Sequence, residues 1–441
     1  MLGGGATAGW TVSFVTMGCA KNEVDSQHMA ARLVAAGYDV VEDPETADVV
    51  IVNTCTFIQA ATEESIDAVL DVAGFESVAE GRAHLVVAGC MPARYGHDLA
   101  AELTEASRFV PCSEEPEIVS IVDGLLGVQR EDADVLNIPG YQLKRTGLSA
   151  YVKISDGCDR FCAYCTIPYI RGRYRSFPEN EIMAEVAGLV ESGTREVVLI
   201  AQDTGRWGQD FDEPSTLAAL MGDLAESFSE VWFRVMYIQP EGVTDELIET
   251  VASHDNICSY FDIPFQHSSA AVLSSMNRKG NGDEFLELMA KIRNRIPDAT
   301  LRTTLIAGYP GETDEQFEEL CEFVEEAELD YIGVFAYSRE EGTRAYSLDG
   351  QLEEDEKLER AQRLRDLADD VCTARIAGRV GSQMDVLVCG VEEDGQLFGR
   401  AKCQAPDVDG VTYVQGCSIG DVCSVIVDDV LLYEMEGTVV R

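Results

Sequence analysis

The chain has 441 residues, 46% hydrophobic and 25% charged, with 79 acidic side chains against 33 basic ones and a formal net charge of −46. That length calls for two or three domains with real cores, and the balanced composition excludes a disordered or fibrous chain. So acidic a field repels phosphate backbones and argues against nucleic-acid binding unless a local basic patch overrides it; solubility or a salty cytosol would select the same charge.

The first residues, MLGGGATAGW, carry no basic n-region and no apolar h-region, so no signal peptide is expected. No apolar run approaches the roughly 18–20 residues of a bilayer span. A soluble, cytoplasmic protein is therefore expected, without membrane contact. Its fourteen cysteines would sit in a reducing compartment, where disulfides are rare and grouped thiols more often bind metal or do redox work. For dispersed cysteines the ordinary reading is a small core residue.

Residues 10–126 alternate strand and helix patterns. TVSFVTMGC, DVVIVNTC and HLVVAGC read as strands, each followed by a helical stretch (VDSQHMAARLVAAG, ESIDAVLDVAGF, YGHDLAAELT). That alternation predicts an open parallel α/β domain. Residues 127–147 lose the periodicity and read as a linker. Residues 148–376 repeat the strand–helix unit about six times, through SAYVKISDGC, EVVLIAQDT, WFRVMYI, YFDIPFQ, TLRTTLIAGYP and YIGVFAYS. Six units fit a partial (β/α)6 barrel better than a closed eightfold one. The charged stretch EEDEKLERAQRLRDLADDV, with Leu364, Leu367 and Val371 on one stripe, predicts a bridging helix. Residues 377–441 turn to short strands and predict a small antiparallel β-barrel.

Each of the first three strands runs into a cysteine: Cys19, Cys55 and Cys90. In an open parallel sheet the carboxyl ends of the strands share one edge, where ligands bind, so the three should converge as a ligand set. Cys112, after RFVP, is a fourth and weaker candidate, read as structural. A second trio stands within eight residues, Cys158, Cys162 and Cys165, in C-x3-C-x2-C spacing. Zinc would want a fourth Cys or His, and no histidine lies within fifty residues after Cys165. A four-iron four-sulfur cube takes four thiolates when fully ligated; three leave one iron open to a reactant.

C-x3-C-x2-C at the start of a barrel-like α/β domain resembles the radical S-adenosylmethionine (SAM) enzymes. The resemblance implies that the open iron chelates SAM and that an electron from the cluster cleaves it to a 5′-deoxyadenosyl radical. Tyr164 then occupies the aromatic position beside the adenine, though an ordinary packed tyrosine fits the sequence equally. MGCAKNEVDS, VNTCTF and AGCMPARY in front, with GCDRFCAYCTIPYIRGRYRS behind, are similar to the methylthiotransferases across essentially the whole chain. That family implies an auxiliary cluster on Cys19, Cys55 and Cys90, a radical SAM cluster on Cys158, Cys162 and Cys165, and a C-terminal TRAM barrel. It implies two 4Fe-4S clusters and SAM as cofactors, and a reductant such as flavodoxin or ferredoxin.

The family divides between enzymes acting on tRNA adenosine and one acting on an aspartate of small-subunit ribosomal protein number twelve. GCAKNEVDS and QAPDVDG (residues 404–410) are similar to the ribosomal-protein type. Residues 378–441 hold four bases against eleven acids, net −7, a poor match to phosphates and a good one to a basic ribosomal protein. Strong direct RNA binding is not expected, and the small subunit is the expected partner. The expected reaction is methylthio transfer to the β-carbon of that aspartate, a position with no useful acidity, so a cofactor radical rather than an acid–base pair must act. An iron–sulfur electron carrier is the reading from another class; it needs no open iron and no long barrel, and would not cleave SAM.

Three further groups are candidates. Arg171, Arg173 and Arg175 alternate in IRGRYRS and, at strand spacing, would point one way, towards a carboxylate of SAM or of the target, or simply into solvent. Gly308 and Gly311 in LIAGYPGETDEQF would let cofactor backbone approach closely; the same stretch reads as a turn with Thr313 as N-cap and Gln316 completing a capping box. Gln266 and His267 end another strand and are open to a structural or a functional reading.

Overall fold

The computed structural model describes residues 9–130 and 147–440; most of the expected linker, 127–147, lies outside them. The chain divides into two compact units. One lies within Met1–Arg145 and includes Asp156–Asp159 and Cys165–Tyr174; the other comprises Thr146–Ser155, Arg160–Tyr164 and Arg175–Arg441.

In the first unit five parallel strands, β1 (Thr11–Thr16), β2 (Asp39–Val40), β3 (Val49–Thr54), β4 (His84–Gly89) and β5 (Arg108–Pro111), lie in the order β2-β1-β3-β4-β5. Strands β3 and β4 are near-continuous buried runs, VVIVNT and LVVAG, as a sheet covered on both faces requires. Alternate residues feed two cores. Val49, Ile51 and Val86 pack with Met29 and Leu33 of helix Ala20–Ala35 and with Ile118 and Val122 of helix Ile118–Leu126. Val50, Val52, Leu85 and Val87 pack with Val69 and Val72 of helix Gln59–Ala73 and with Met91 and Leu99 of helix Cys90–Glu102. The edge strands β2 and β5 escaped the sequence reading; they are too short to show a period.

In the second unit six parallel strands follow the six expected stretches: Ser149–Lys153, Glu196–Ile200, Trp232–Val235, Tyr260–Asp262, Thr300–Ala307 and Tyr331–Ala336. They form two three-stranded ladders, joined by the parallel bridge Phe233↔Ile257. Among the described residues the first and last strands do not pair, so the barrel is partial. Helix Glu354–Ala377 buries Ala361, Leu364 and Ala368 in the common core, with Leu367 and Val371 half-buried against it.

The last five strands, Gln383–Val391, Leu397–Ala401, Thr412–Val414, Val422–Leu431 and Glu434–Val439, close into a barrel. It is not wholly antiparallel as expected, because Thr412–Val414 runs parallel to Glu434–Val439 and makes the closure. Cys417 and Cys423 are joined by a disulfide, a departure from the expectation of free thiols. Cys258, Cys321, Cys372 and Cys403 are buried as ordinary core residues.

The small barrel is held to the six-stranded arc by buried charge. Glu196, on the second strand, accepts from Arg234 at 3.0 Å and from Arg400 at 2.7 Å, and Arg234 donates to the Lys402 carbonyl at 2.9 Å. The QAPDVDG stretch makes the other half of the seam. Asp407 accepts from the Tyr151 hydroxyl and Asp409 from the Tyr260 hydroxyl, both at 2.7 Å. Gly410 is required because a Cβ there would stand 2.0 Å from the Tyr433 carbonyl oxygen.

Burial pushes the Asp409 carboxyl up to about 6, with Arg302, the Ala405 N–H and Tyr260 opposing it in part. A carboxyl so raised binds its proton more tightly folded than unfolded, so its contribution to stability is full below about pH 4 and is lost as pH rises through about 6. In urea titrations at pH 4 and pH 7, the advantage of wild type over Asp409→Asn should therefore fall by roughly 2–3 kcal/mol on going to the higher pH. An advantage that is constant or grows contradicts this.

Candidate metal centres

The parallel register of the first unit sets its cysteines in a row. Thr54 pairs with Gly89, and Gly89 with Pro111; the next residue on each of those strands is Cys55, Cys90 and Cys112. Thr16 pairs with Asn53, which carries Cys19 past the end of β1 to the same edge. Cys19 is the N-cap of helix Ala20–Ala35, and Cys90 is the first residue of its own helix. Helix N-termini favour thiolates.

Two glycines make the row possible. A Cβ on Gly18, at φ +90°, would stand 2.4 Å from Cys55 Cβ and 2.8 Å from its Sγ. A Cβ on Gly89, at φ +92°, would stand 2.2 Å from Asn53 Oδ1. Cys55 is clamped by Ser65, whose hydroxyl accepts from the Cys55 N–H at 3.0 Å and donates to the Cys55 carbonyl at 2.9 Å.

The thiols differ electrostatically. Burial pushes Cys55 up to about 11, a Phe57 N–H opposing, with the charges of Cys90 and Cys19 adding to the rise. Cys90 is held at about 6, first by a hydrogen bond from Cys112 and then, against burial, by the Arg171 guanidinium. Cys112 is raised in turn by the same shared hydrogen bond. Cys112, read as structural from the sequence, thus sits directly beside Cys90.

Of the second trio, Cys158 is buried in the first unit, where its N–H donates to the Gly172 carbonyl at 3.1 Å; Cys165, half-buried, belongs to the same unit. Cys162 belongs to the second unit, where Ala163 N–H donates to the Met276 carbonyl at 2.8 Å and Asn277 Nδ2 to the carbonyls of Arg160 and Phe161 at 3.0 and 3.1 Å. Arg278 Nη1 lies 3.8 Å from Cys162 Sγ. Among the described residues no group of three His, Cys, Asp or Glu could hold a single metal ion. A cube binds each thiolate through a different iron, so its ligands stand farther apart. The front trio, with thiol donors only and each just past a strand end, fits such a group.

The other expected residues have definite places. Tyr164 is half-buried against the central core. The Gly308 N–H donates to both oxygens of Glu312 at 3.1 Å, and Lys357 fills the space a Cβ would take. Gly311, at φ +81°, has nothing within 4 Å of that position. Thr313 and Gln316 form the expected capping box. His267 is fully buried; its Nδ1 accepts from the N–H groups of Ser268 and Ser269 at 2.9 Å, so Nε2 carries the proton and donates to Glu312 at 3.3 Å. Gln266 takes φ +73°.

The arginines do not follow strand spacing. Residues Ile167–Ile170 form a helical turn ending at Arg171, so the alternation argument fails before Arg175. Arg171 is buried, its side chain 2% exposed, whereas Arg173 is 79% exposed and 3.3 Å from Asp159. Arg175 lies over the Phe177 ring at 5.3 Å. Sequence reasoning missed Asn22 and Asp25, buried polar residues within AKNEVDS; polar residues on the inward face of an otherwise apolar helix were the available signal.

Fold and cysteine pattern define a radical SAM enzyme with an added front domain and a closing barrel. Residues 11–110 match the Uncharacterized protein family UPF0004, 152–324 the Radical SAM superfamily and 380–440 the TRAM domain. That superfamily carries a 4Fe-4S cluster and uses SAM. The chain belongs to the family of the ribosomal protein uS12 methylthiotransferase RimO. It is 41% identical to the protein of that name from Trichlorobacter lovleyi over 98% of both chains, and 41% identical to the one from Symbiobacterium thermophilum over 97% of this chain and 90% of that one. Among solved structures it shares its fold with the radical SAM methyltransferase TsrM from Kitasatospora setae, at TM-score 0.54 and 14% identity over 74% of each chain. The cobalamin-dependent enzyme OxsB gives TM-score 0.52 at 11% identity, over 80% of this chain and 56% of that one.

Gly18→Ala should cost clearly more stability than Gly81→Ala, which also sits at positive φ but has nothing within 4 Å. The second change is expected to cost about 1–2 kcal/mol for the backbone alone, and the first to add at least about 1 kcal/mol of overpacking. Urea midpoints at equal m-values read the difference, and equal losses would show that Cys55 does not press on Gly18.

Proposed function

We propose that this chain is a transferase that adds a methylthio group to the β-carbon of an aspartate in ribosomal protein uS12, on the free protein or in the small subunit. In this reading Cys158, Cys162 and Cys165 hold the radical SAM cluster, and Cys19, Cys55 and Cys90 hold an auxiliary one. The bound clusters would supply the electron that cleaves SAM and a site for the sulfur to be transferred. The chain's own residues supply position: strand ends fix the front trio, and the pinned 160–164 stretch fixes Cys162. Tyr164 and the open backbone at Gly311 are the groups proposed to meet SAM, and Arg173 to meet the target carboxylate. A small reducing protein of the flavodoxin or ferredoxin type would act as donor, in the cytoplasm. No helix among the described residues is long and apolar enough to cross a membrane.

The observation that favours a protein substrate over RNA is where the last domain spends its bases. Arg379 pairs with Asp330 at 2.6 Å, Arg400 with Glu196 at 2.7 Å, and Lys402 Nζ donates to the Asp255 carbonyl at 2.6 Å. All three partners belong to the six-stranded domain. Among the described residues, the basic side chains of the last domain are thus used as internal fastenings, while its acids outnumber them. Phosphate binding needs free cations; a basic ribosomal protein needs the reverse.

The test is anaerobic incubation of cluster-loaded, reduced enzyme with SAM and either small ribosomal subunits or tRNA, followed by mass spectrometry. A methylthio group on an aspartate-containing peptide of uS12, and none on tRNA nucleosides, is expected. Labelling of tRNA alone overturns the substrate, and loaded enzyme that fails to cleave SAM overturns the reaction.

A further inference from the structure

We propose that Arg171 is a positioning residue of the auxiliary centre: its buried guanidinium holds the Cys90 sulfur in place and lends positive charge to the iron–sulfur group that Cys19, Cys55 and Cys90 would bind, making that group easier to reduce. The inference rests on the cluster assignment above.

A fully desolvated guanidinium is costly unless every donor is used. Nη1 is neutralised by Asp25 at 2.7 Å, with Asp156 at 3.4 Å. Those carboxylates account for the burial but not for the other end of the fork. Nη2 turns away from them, to Asn22 Oδ1 at 2.7 Å and Cys90 Sγ at 3.6 Å. The Asn22 amide is oriented by its own bonds, since Nδ2 donates to the carbonyls of Met17 at 3.0 Å and Thr54 at 2.9 Å. Its oxygen must therefore face the arginine, and that oxygen also lies 3.7 Å from Cys90 Sγ. Asn53 Nδ2 donates to the Asn22 carbonyl at 2.9 Å, tying the frame to β3. A planar, always-charged fork held at both ends is a device for aiming charge. A donor aimed at a ligating sulfur withdraws electron density from the iron and favours the reduced state. The other trio has its own arginine, Arg278, whose Nη1 lies 3.8 Å from Cys162 Sγ while Nη2 is anchored on the Pro264 carbonyl at 2.6 Å.

The test uses full-length protein in which Cys158, Cys162 and Cys165 are all replaced by Ala, so that any reconstituted cluster is the auxiliary one. Iron content and an electron paramagnetic resonance redox titration are read for this parent and for Arg171→Met, Arg171→Lys and Arg278→Met. Arg171→Met is expected to keep at least half the iron and to show a tenfold or greater fall in the reduced-to-oxidised ratio at fixed potential, a shift of about 59 mV for one electron. Arg171→Lys, which keeps the charge, should stay within a few-fold of the parent, and Arg278→Met should match it. If Arg171→Met sheds its iron, the lysine variant decides, and a tenfold fall there overturns the inference. So does an unshifted Arg171→Met, or an Arg278→Met that shifts equally. A parent that binds no iron overturns the cluster assignment and the inference together; an iron-loaded parent with an unmoved Arg171→Met overturns the inference alone.

Discussion

Everything in the front domain follows from one constraint: parallel strands in register end together. Because Thr54, Gly89 and Pro111 stand in register on successive strands, residues up to 57 apart in the chain must present their successors along one edge. Three of those strand ends lead into a ligand candidate and a fourth thiol completes the row. The sheet needs no loop to bring these thiols together. It needs only small residues behind the thiols, which is the part Gly18 and Gly89 play, and polar anchors that hold the backbone rigid, which is the part of Asn22, Asn53 and Ser65. Rigid thiols with hydrogen-bonded supports would suit the auxiliary cluster proposed above.

The acidic charge has a different structural meaning from the one its average suggests. In the C-terminal barrel an excess of acids is joined by a withdrawal of bases: Arg379, Arg400 and Lys402 are all engaged by the six-stranded arc. Glu196 stands between Arg234 and Arg400 in a buried triad; removing the carboxylate would strand two buried guanidiniums, at a cost of about 3–5 kcal/mol, whereas removing one arginine leaves the other paired. The seam thus fixes the barrel against the arc and engages its bases in one stroke. QAPDVDG, a stretch that looked diagnostic only by resemblance, has a physical task there, supplying Asp407 and Asp409 to tyrosines of the arc.

Much of this was legible in the sequence, for identifiable reasons. Long buried strands such as DVVIVNTC and the six barrel strands announce themselves by β-branched runs, and a cysteine that ends a strand is placed by topology alone. The capping box at Thr313 is a local code and was read as one. What could not be read was anything set by partners distant in sequence. IRGRYRS looked like a strand because charge alternates, but a helical turn intervenes and Arg171 is buried by Asp25 and Asn22, nearly 150 residues earlier. That Cys112 hydrogen-bonds Cys90 follows from strand register, which a four-residue strand does not announce. The bases of the last domain looked like surface charge until their partners were seen. Gly308 reads as an opening in sequence, yet Lys357 occupies the space.

The central claim is that the chain carries two separate trios of thiolates, each holding its own four-iron cube. The most direct measurement is the iron and sulfide content of anaerobically reconstituted full-length protein, compared with one variant lacking Cys19, Cys55 and Cys90 and another lacking Cys158, Cys162 and Cys165. The account predicts about eight irons per chain in the parent and about four in each variant, with SAM cleavage surviving only where the second trio remains. About four irons in the parent, or loss of all iron on removing either trio, would mean a single shared centre and would contradict it.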